Sequence, residues 1–110
     1  MTRTDREIIE ESLDHLTILE SHLQRGRTDD PLVLDAACMR LSAAIEVLSH
    51  LPEERRSSLF GNDWHAMWST RNRIAHAYIG LDIGITVDTL HHDIPLLTST
   101  LRQAIEVVGK

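Results

Sequence analysis

Apolar residues recur every three or four positions through most of the chain, the spacing that places them on one face of an α-helix. In the first such stretch Thr4 and Glu7 have the spacing of a capping box, in which each side chain satisfies a free backbone N–H of a helix start. Gly26 is a typical helix end. The pattern therefore predicts a first helix from about Thr4 to Gly26, with an apolar stripe of Ile9, Leu13, Leu16, Leu19 and Leu23.

A second helix is predicted from Asp30, a cap residue, and Pro31, which suits the first helical position. Pro52 ends this segment. Alanines within it would let a neighbouring helix approach closely, and its apolar stripe consists of Leu34, Cys38, Leu41, Ile45 and Leu48.

A polar connection is expected from Pro52 to Asn62. The pattern then predicts a third helix from Trp64 to about Tyr78, capped by Asn62 or Asp63. The connection contains Glu53-Glu54-Arg55-Arg56, which we interpret as a solvated turn in preference to a basic contact for RNA.

The last third of the chain predicts a short segment near Val87 to His91 and a final helix from about Asp93, with Pro95 in its first turn. Adjacent histidines point apart on a helix, so we interpret His91 and His92 as a solvated helix start with Asp93 as its cap, and not as metal ligands. The stripe of the final helix consists of Leu97, Leu101, Ile105 and Val108.

These segments predict an all-α fold, because no stretch shows the alternation of a strand. Helices of this length bury their stripes only by packing together, so we expect a small up-and-down bundle of four to five helices. The 110 residues, 42% hydrophobic and 25% charged, fit a single domain over residues 1–110.

Composition excludes several classes of site and partner. Cys38 is the one cysteine, so an internal disulfide and a cysteine-based zinc site are excluded. The net charge of −6 argues against a surface built for non-specific DNA binding, although a small basic site could still act on RNA. No apolar stretch follows the first residues and no window reaches the ~18 apolar residues of a membrane span, so we expect a cytoplasmic location and no membrane partner.

Arg71 breaks the pattern of the third helix. At about 100° per residue, it falls in the centre of an apolar arc formed by Trp64, Met67, Trp68, Ile74, Ala75 and Tyr78. A guanidinium there is costly unless water reaches it or an acid pairs with it, and Glu46 of the second helix is a candidate partner. Such exceptions tend to mark functional or interface positions.

His76 lies on the adjacent polar flank, four residues after Asn72, and its imidazole can transfer protons at neutral pH. Five positions separate Arg71 from His76, which turns them about 140° apart. They meet at one phosphate only if the helix distorts or a second chain closes the site. This spacing therefore favours a dimer cleft.

The stretch from Arg71 to Tyr78 resembles the Arg-x4-His-x-Tyr signature of HepT-like proteins in the HEPN superfamily. The surroundings also fit: Trp64 and Met67 stand upstream, a Gly-Leu-Asp segment follows at residues 80–82, and Pro95 starts the last helix. The second helix matches the family segment Arg-Leu-Glu-x-x-Gly-Glu at Arg40, Leu41 and Glu46, while Ser42 and Ile45 replace its first glutamate and its glycine.

The resemblance implies the toxin of a toxin–antitoxin pair, a metal-independent ribonuclease that needs no cofactor. It implies a homodimer with both motifs facing one cleft, in which Arg71 stabilises the phosphoryl oxygens of RNA and His76 transfers protons. It also implies a minimal nucleotidyltransferase antitoxin that silences the toxin by transferring AMP to Tyr78. Independently of the resemblance, the i, i+4 spacing of Asn72 and His76 makes Asn72 a supporting candidate that could orient a phosphate or His76, and Arg73 would add local positive charge.

Plainer interpretations stand beside these roles. His76 and Arg73 could be solvated surface residues, Tyr78 a core aromatic, and the tryptophans core or dimer interface instead of stacking platforms for bases. Two other functions also fit: a non-catalytic subunit that presents a nucleotide or substrate to the nucleotidyltransferase, and a plain dimerisation module with Arg71 in a structural ion pair.

Overall fold

The computed structural model describes residues 3–27, 30–76 and 80–108. Within them the chain forms six α-helices and one π-helical segment, and no strand. The π-helical segment joins α5 to α6 without a break, so the described residues form five continuous helical rods. This confirms the predicted all-α class and the four to five helices. The elements are α1 (Asp5–Arg25), α2 (Pro31–Leu48), α3 (Glu53–Phe60), α4 (Asp63–His76), α5 (Ile83–Asp88), the π-helical segment (Thr89–Asp93) and α6 (Ile94–Val108).

The first two helices begin where the cap residues predict. Thr4 and Glu7 form both hydrogen bonds of the capping box, and the carboxylate of Asp30 accepts from the backbone N–H of Leu32 at 2.9 Å. Because the Thr4 backbone N–H donates to the Glu7 carboxylate, the pKa of Glu7 lies below its ordinary value. The capping prediction is confirmed at both positions.

The helices α1 and α2 form an antiparallel pair. The buried hydroxyl of Ser12, early in α1, donates to the backbone carbonyl of Ala44, late in α2, at 3.0 Å. One turn further along α1, His15 Nδ1 lies 3.1 Å from Arg40 Nη1. These two contacts fix the register of the pair, against which α4 and α6 pack.

The core lies between α1, α2 and α6, and is extended by single side chains from other elements. All of the predicted stripe residues of these three helices are buried in it or packed against it. None of the helices among the described residues is long and apolar enough to span a membrane. The largest fully buried apolar side chains are Ile9, Leu16, Leu19, Ile45, Leu48, Leu51, Leu90 and Leu101.

The predicted polar connection after Pro52 was wrong, because α3 occupies most of it. Tertiary contacts hold this polar helix in place. Arg55 pairs with Asp5 of α1 at 3.0 Å, and Arg56 donates to the backbone carbonyls of Ser49 and Leu51 beyond the end of α2. Phe60 anchors the other end of α3 in the core. The two arginines are therefore structural, and this segment is neither a turn nor an open basic surface.

The prediction of Asp93 as a helix cap was also wrong. Asp82 provides the cap instead, since its carboxylate accepts from the backbone N–H of Ile85 at 2.9 Å and starts α5. Asp93 lies inside the helical rod, at the end of the π-helical segment.

Candidate functional site

Helix α4 carries most of the predicted site residues and lies at the surface. None of its residues is fully buried, although its apolar residues rest against the core from one side. The helix packs on α2 and on the short α3. Its apolar arc is therefore half-buried and is formed by Trp64, Met67, Trp68 and Ile74.

Three aromatic rings, which we call the aromatic ladder, run from α3 along α4. Phe60 stacks on Trp64 and Trp64 stacks on Trp68, with ring centroids 5.9 Å apart at both steps. Phe60 is buried, so the ladder is anchored in the core at that end. The i, i+4 spacing of Trp64 and Trp68 places these two rings on one face of α4, and Phe60 reaches Trp64 from the end of α3.

Arg71 extends the ladder at its outer end. Its guanidinium carbon lies 4.9 Å from the centre of the Trp68 ring, within the range of a cation–π contact. Arginine side chains on a helix point back towards its N-terminus, so a residue three positions after a tryptophan covers that ring. Sequence reasoning did not predict this contact, although the spacing of Trp68 and Arg71 was the signal for it.

Two polar groups hold the guanidinium from other sides. The Nε atom lies 2.9 Å from Oε2 of Glu46, but the two are not aligned as a hydrogen bond. The Nη1 atom donates to Oδ1 of Asn72 at 3.0 Å. The N–H groups that remain on Nη1 and Nη2 have no acceptor within the described part of the chain, so they can bind an anion.

Glu46, the partner that the sequence suggested for Arg71, does lie next to it. Its side chain as a whole is not buried, however. The side chain of Glu46 is 45% exposed, and that of Arg71 is 22% exposed. The two contacting atoms, Oε2 and Nε, are themselves buried. Because the rest of the Glu46 side chain meets water, this ion pair is worth less than a fully buried one. The other two matched residues of this segment face inward: Leu41 is in the core and Arg40 contacts His15.

His76 is the last residue of α4, and its side chain is exposed. No hydrogen bond or ion pair among the described residues joins it to Arg71, although both lie in the last two turns of one helix. Asn72 contacts Arg71 and makes no such contact with His76 within these residues. Arg73 is exposed, with a 3.4 Å contact from Nη2 to the hydroxyl of Thr70. Tyr78 lies outside the described residues.

A cavity of about 310 Å³ lies on a different flank of α4, facing α2 and the start of α6. Its lining includes Met67 and Thr70 of α4 but neither Arg71 nor His76.

In the described ranges no group of three or more His, Cys, Asp or Glu side chains could hold a metal ion. The site built on α4 is therefore a cationic surface site beside the cavity, and not part of it.

A Methanocaldococcus jannaschii protein described as a "Gamma-glutamylcyclotransferase and putative RNase" is 24% identical over 102 residues, a stretch covering 89% of this chain and 46% of that protein. The chain thus spans about half the length of this relative. No solved structure gives a significant match. The family model described as "Ribonuclease HepT-like" matches residues 8–104, from early α1 to late α6, and the chain therefore belongs to the HepT-like ribonuclease family.

Proposed function

We propose that this chain is a metal-independent endoribonuclease and the toxin of a toxin–antitoxin pair. The observation that carries the proposal is the environment of Arg71. Glu46, Asn72 and Trp68 hold its guanidinium at the surface, and some of its N–H donors stay without an acceptor among the described residues. An exposed histidine, His76, ends the same helix. The family match and the relative described as an RNase support an RNA substrate.

The proposed reaction is the transfer of an RNA phosphoryl group to its own 2′-hydroxyl. A base removes the 2′-hydroxyl proton, the 2′-oxygen attacks phosphorus, and the bond from phosphorus to the 5′-oxygen breaks. An acid then protonates the departing 5′-oxygen, which leaves a 2′,3′-cyclic phosphate and a 5′-hydroxyl. An imidazole can accept the proton of the 2′-hydroxyl and an imidazolium can donate one to the 5′-oxygen, so the proposal assigns both proton transfers to His76.

Arg71 is assigned to the charge that develops on the non-bridging phosphoryl oxygens. A planar guanidinium with free donors matches two such oxygens, and its charge is permanent. Removing a preorganised donor of this kind costs about 10²–10³ in rate in other enzymes. Arg73 adds local positive charge to a chain whose net charge is −6, and Asn72 orients Arg71.

The proposed site is shared by two copies of the chain. Within one copy Arg71 and His76 project from α4 about 140° apart, and no described contact brings them together. A homodimer that places two α4 helices across one cleft supplies the histidine of one copy to the arginine of the other. The half-buried arc of α4 suits such an interface, because it leaves apolar surface in contact with water.

The proposed control is the transfer of AMP to Tyr78 by a minimal nucleotidyltransferase antitoxin. Tyr78 follows Arg71 by seven residues in the sequence. A nucleotide on its hydroxyl would bring a negative phosphodiester close to the free donors of Arg71 and fill the cleft. Cleavage would stop without any change of fold.

The test is cleavage of a mixed RNA pool in EDTA, after mass spectrometry has confirmed that Tyr78 carries no AMP. The panel contains the parent protein, Arg71→Ala, His76→Ala and the control His65→Ala. His65 is exposed on the same helix about 16 Å from His76 along the axis, at about 1.5 Å per residue. We expect the parent and His65→Ala to cleave alike, and Arg71→Ala and His76→Ala to lose activity by 10²-fold or more.

Equal cleavage by the parent and His76→Ala would contradict the assignment of His76. Absence of cleavage by every unmodified protein would contradict the ribonuclease proposal as a whole. In that case a change in nucleotide binding upon mixing with the nucleotidyltransferase would identify a non-catalytic binding subunit instead.

A further inference from the structure

We infer that Trp68 is a positioning residue for the proposed reaction: its indole face holds the Arg71 guanidinium in the orientation that meets the phosphoryl group. The inference rests on the proposed function for its kinetic consequence, and on contacts within the chain for its geometry. It gives the aromatic ladder a role that the sequence did not indicate.

The geometry leaves Arg71 little freedom at Trp68. The guanidinium carbon lies 4.9 Å from the ring centre on one face of the indole, and Trp64 stacks on Trp68 at 5.9 Å with an interplanar angle of 26°. Trp64 in turn stacks on buried Phe60. Trp68 is thus the ring of the ladder that contacts Arg71 directly, whereas Trp64 contacts Trp68 and Phe60.

The ladder also explains which edge of Arg71 stays free. Glu46 lies at Nε and Asn72 accepts from Nη1, while the guanidinium carbon lies 4.9 Å from the centre of the Trp68 ring. A phosphate must therefore approach from the side of the remaining Nη donors. A guanidinium can bind two oxygens of one phosphate through such donors.

Stacking of RNA bases is a weaker interpretation of the same rings. Trp64 lies between Phe60 and Trp68, and the Arg56 guanidinium carbon is 5.3 Å from its centre. Trp68 has Trp64 and Arg71 against it. Since the ring faces are in use within the protein, the ladder supports a side chain and is poorly suited to receive a base.

The test compares Trp68→Leu, which removes the aromatic face, with Trp68→Phe, which keeps a smaller one. Trp64→Leu is the matched control, because it removes an indole one turn earlier whose cation contact is with Arg56. Two quantities are measured: kcat and KM for cleavage in EDTA, and the side-chain Nε–H resonance of Arg71 in a 1H–15N spectrum, assigned by its absence from Arg71→Ala. Thermal unfolding shows that each variant is folded.

We expect Trp68→Leu to lower kcat roughly tenfold with a smaller change in KM, which is the size of a partly desolvated cation–π contact expressed as a rate. Trp68→Phe should recover part of this loss. The Arg71 resonance should move downfield in Trp68→Leu, because the ring current of the indole is lost, and move little in Trp64→Leu. If both leucine variants lose a similar amount of thermal stability, lost packing cannot explain a difference between them in cleavage or in the Arg71 resonance.

An Arg71 resonance that is unmoved by Trp68→Leu would overturn the inference, as would unchanged cleavage by that variant beside an inactive Arg71→Ala. If the parent protein cleaves no RNA, the proposed function fails, and the resonance alone then decides whether Trp68 positions Arg71. The failures of the two proposals are therefore distinguishable.

Discussion

Replacing Arg71 by alanine should leave the protein folded, and this can be worked out from the contacts of the side chain. The side chains of the Arg71–Glu46 pair are partly exposed, so solvent screening limits its contribution to roughly 0.2–1 kcal/mol. The cation–π contact with Trp68 adds roughly 0.5–1 kcal/mol at a partly exposed position. The higher helix propensity of alanine offsets a little of this loss. The free energy of unfolding should therefore fall by about 0.5–2 kcal/mol, or about 2–8 °C in Tm.

Urea unfolding, followed by far-UV circular dichroism and by tryptophan fluorescence, measures this change. Both tryptophans lie on α4, so fluorescence reports on the helix that carries Arg71. The matched control is Arg73→Ala, because Arg73 is exposed on the same helix with one long contact to Thr70. Its unfolding free energy should stay within about 0.5 kcal/mol of the parent value.

A loss above about 3 kcal/mol in Arg71→Ala, or a protein that does not fold, would refute this reasoning. Losses of that size follow when a buried charge is left unpaired. Such a result would mean that Glu46 is buried in solution, and would favour a dimerisation module with Arg71 in a structural pair. It would also make the loss of cleavage in Arg71→Ala uninformative about catalysis.

Three further predictions concern the scaffold, and urea unfolding checks each of them. Ser12→Ala should cost about 1 kcal/mol, because the buried Ser12 hydroxyl donates to α2; an unchanged midpoint would contradict this. Gly61→Ala should cost about 1–3 kcal/mol through backbone strain, since Gly61 has φ of 55° and its added methyl would meet no other atom; a stabilised variant would be the opposing result. Glu7→Gln should lower stability above the ordinary Glu7 pKa of 4.5, because the lowered pKa means that the folded state favours the carboxylate. This advantage of the parent over Glu7→Gln should disappear as the pH falls through the lowered pKa, and an advantage that grows in acid would reverse the sign of the argument.

The positions that sequence predicts well are those with a local cause. Thr4 with Glu7, and Asp30 with Pro31, satisfy or avoid the free N–H groups of the first turn within a few residues, so the starts of α1 and α2 follow from local chemistry. The position of Arg71 in an apolar arc was equally visible, and it led to Glu46 because a charge there needs a partner.

The features that sequence missed depend on contacts between distant segments. Helix α3 begins with six polar residues and has no apolar stripe, so hydrophobic periodicity does not predict a helix there. The helix is held in place because its Arg55 pairs with Asp5 of α1, its Arg56 donates to the backbone after α2, and its Phe60 lies in the core. The continuous helix from α5 to α6 was not predicted, because Asp93 and Pro95 have the sequence pattern of a helix start. The contact between Trp68 and Arg71 was not predicted, because Arg71 was paired only with an acidic side chain and with the phosphate of RNA.

The most direct test of the central claim is the chemistry of the ends left on RNA by the unmodified protein in EDTA. The account predicts cleavage with a 2′,3′-cyclic phosphate on one fragment and a 5′-hydroxyl on the other, because the 2′-hydroxyl of the RNA itself is the nucleophile. Intact RNA, or fragments with 3′-hydroxyl and 5′-phosphate ends, would contradict it.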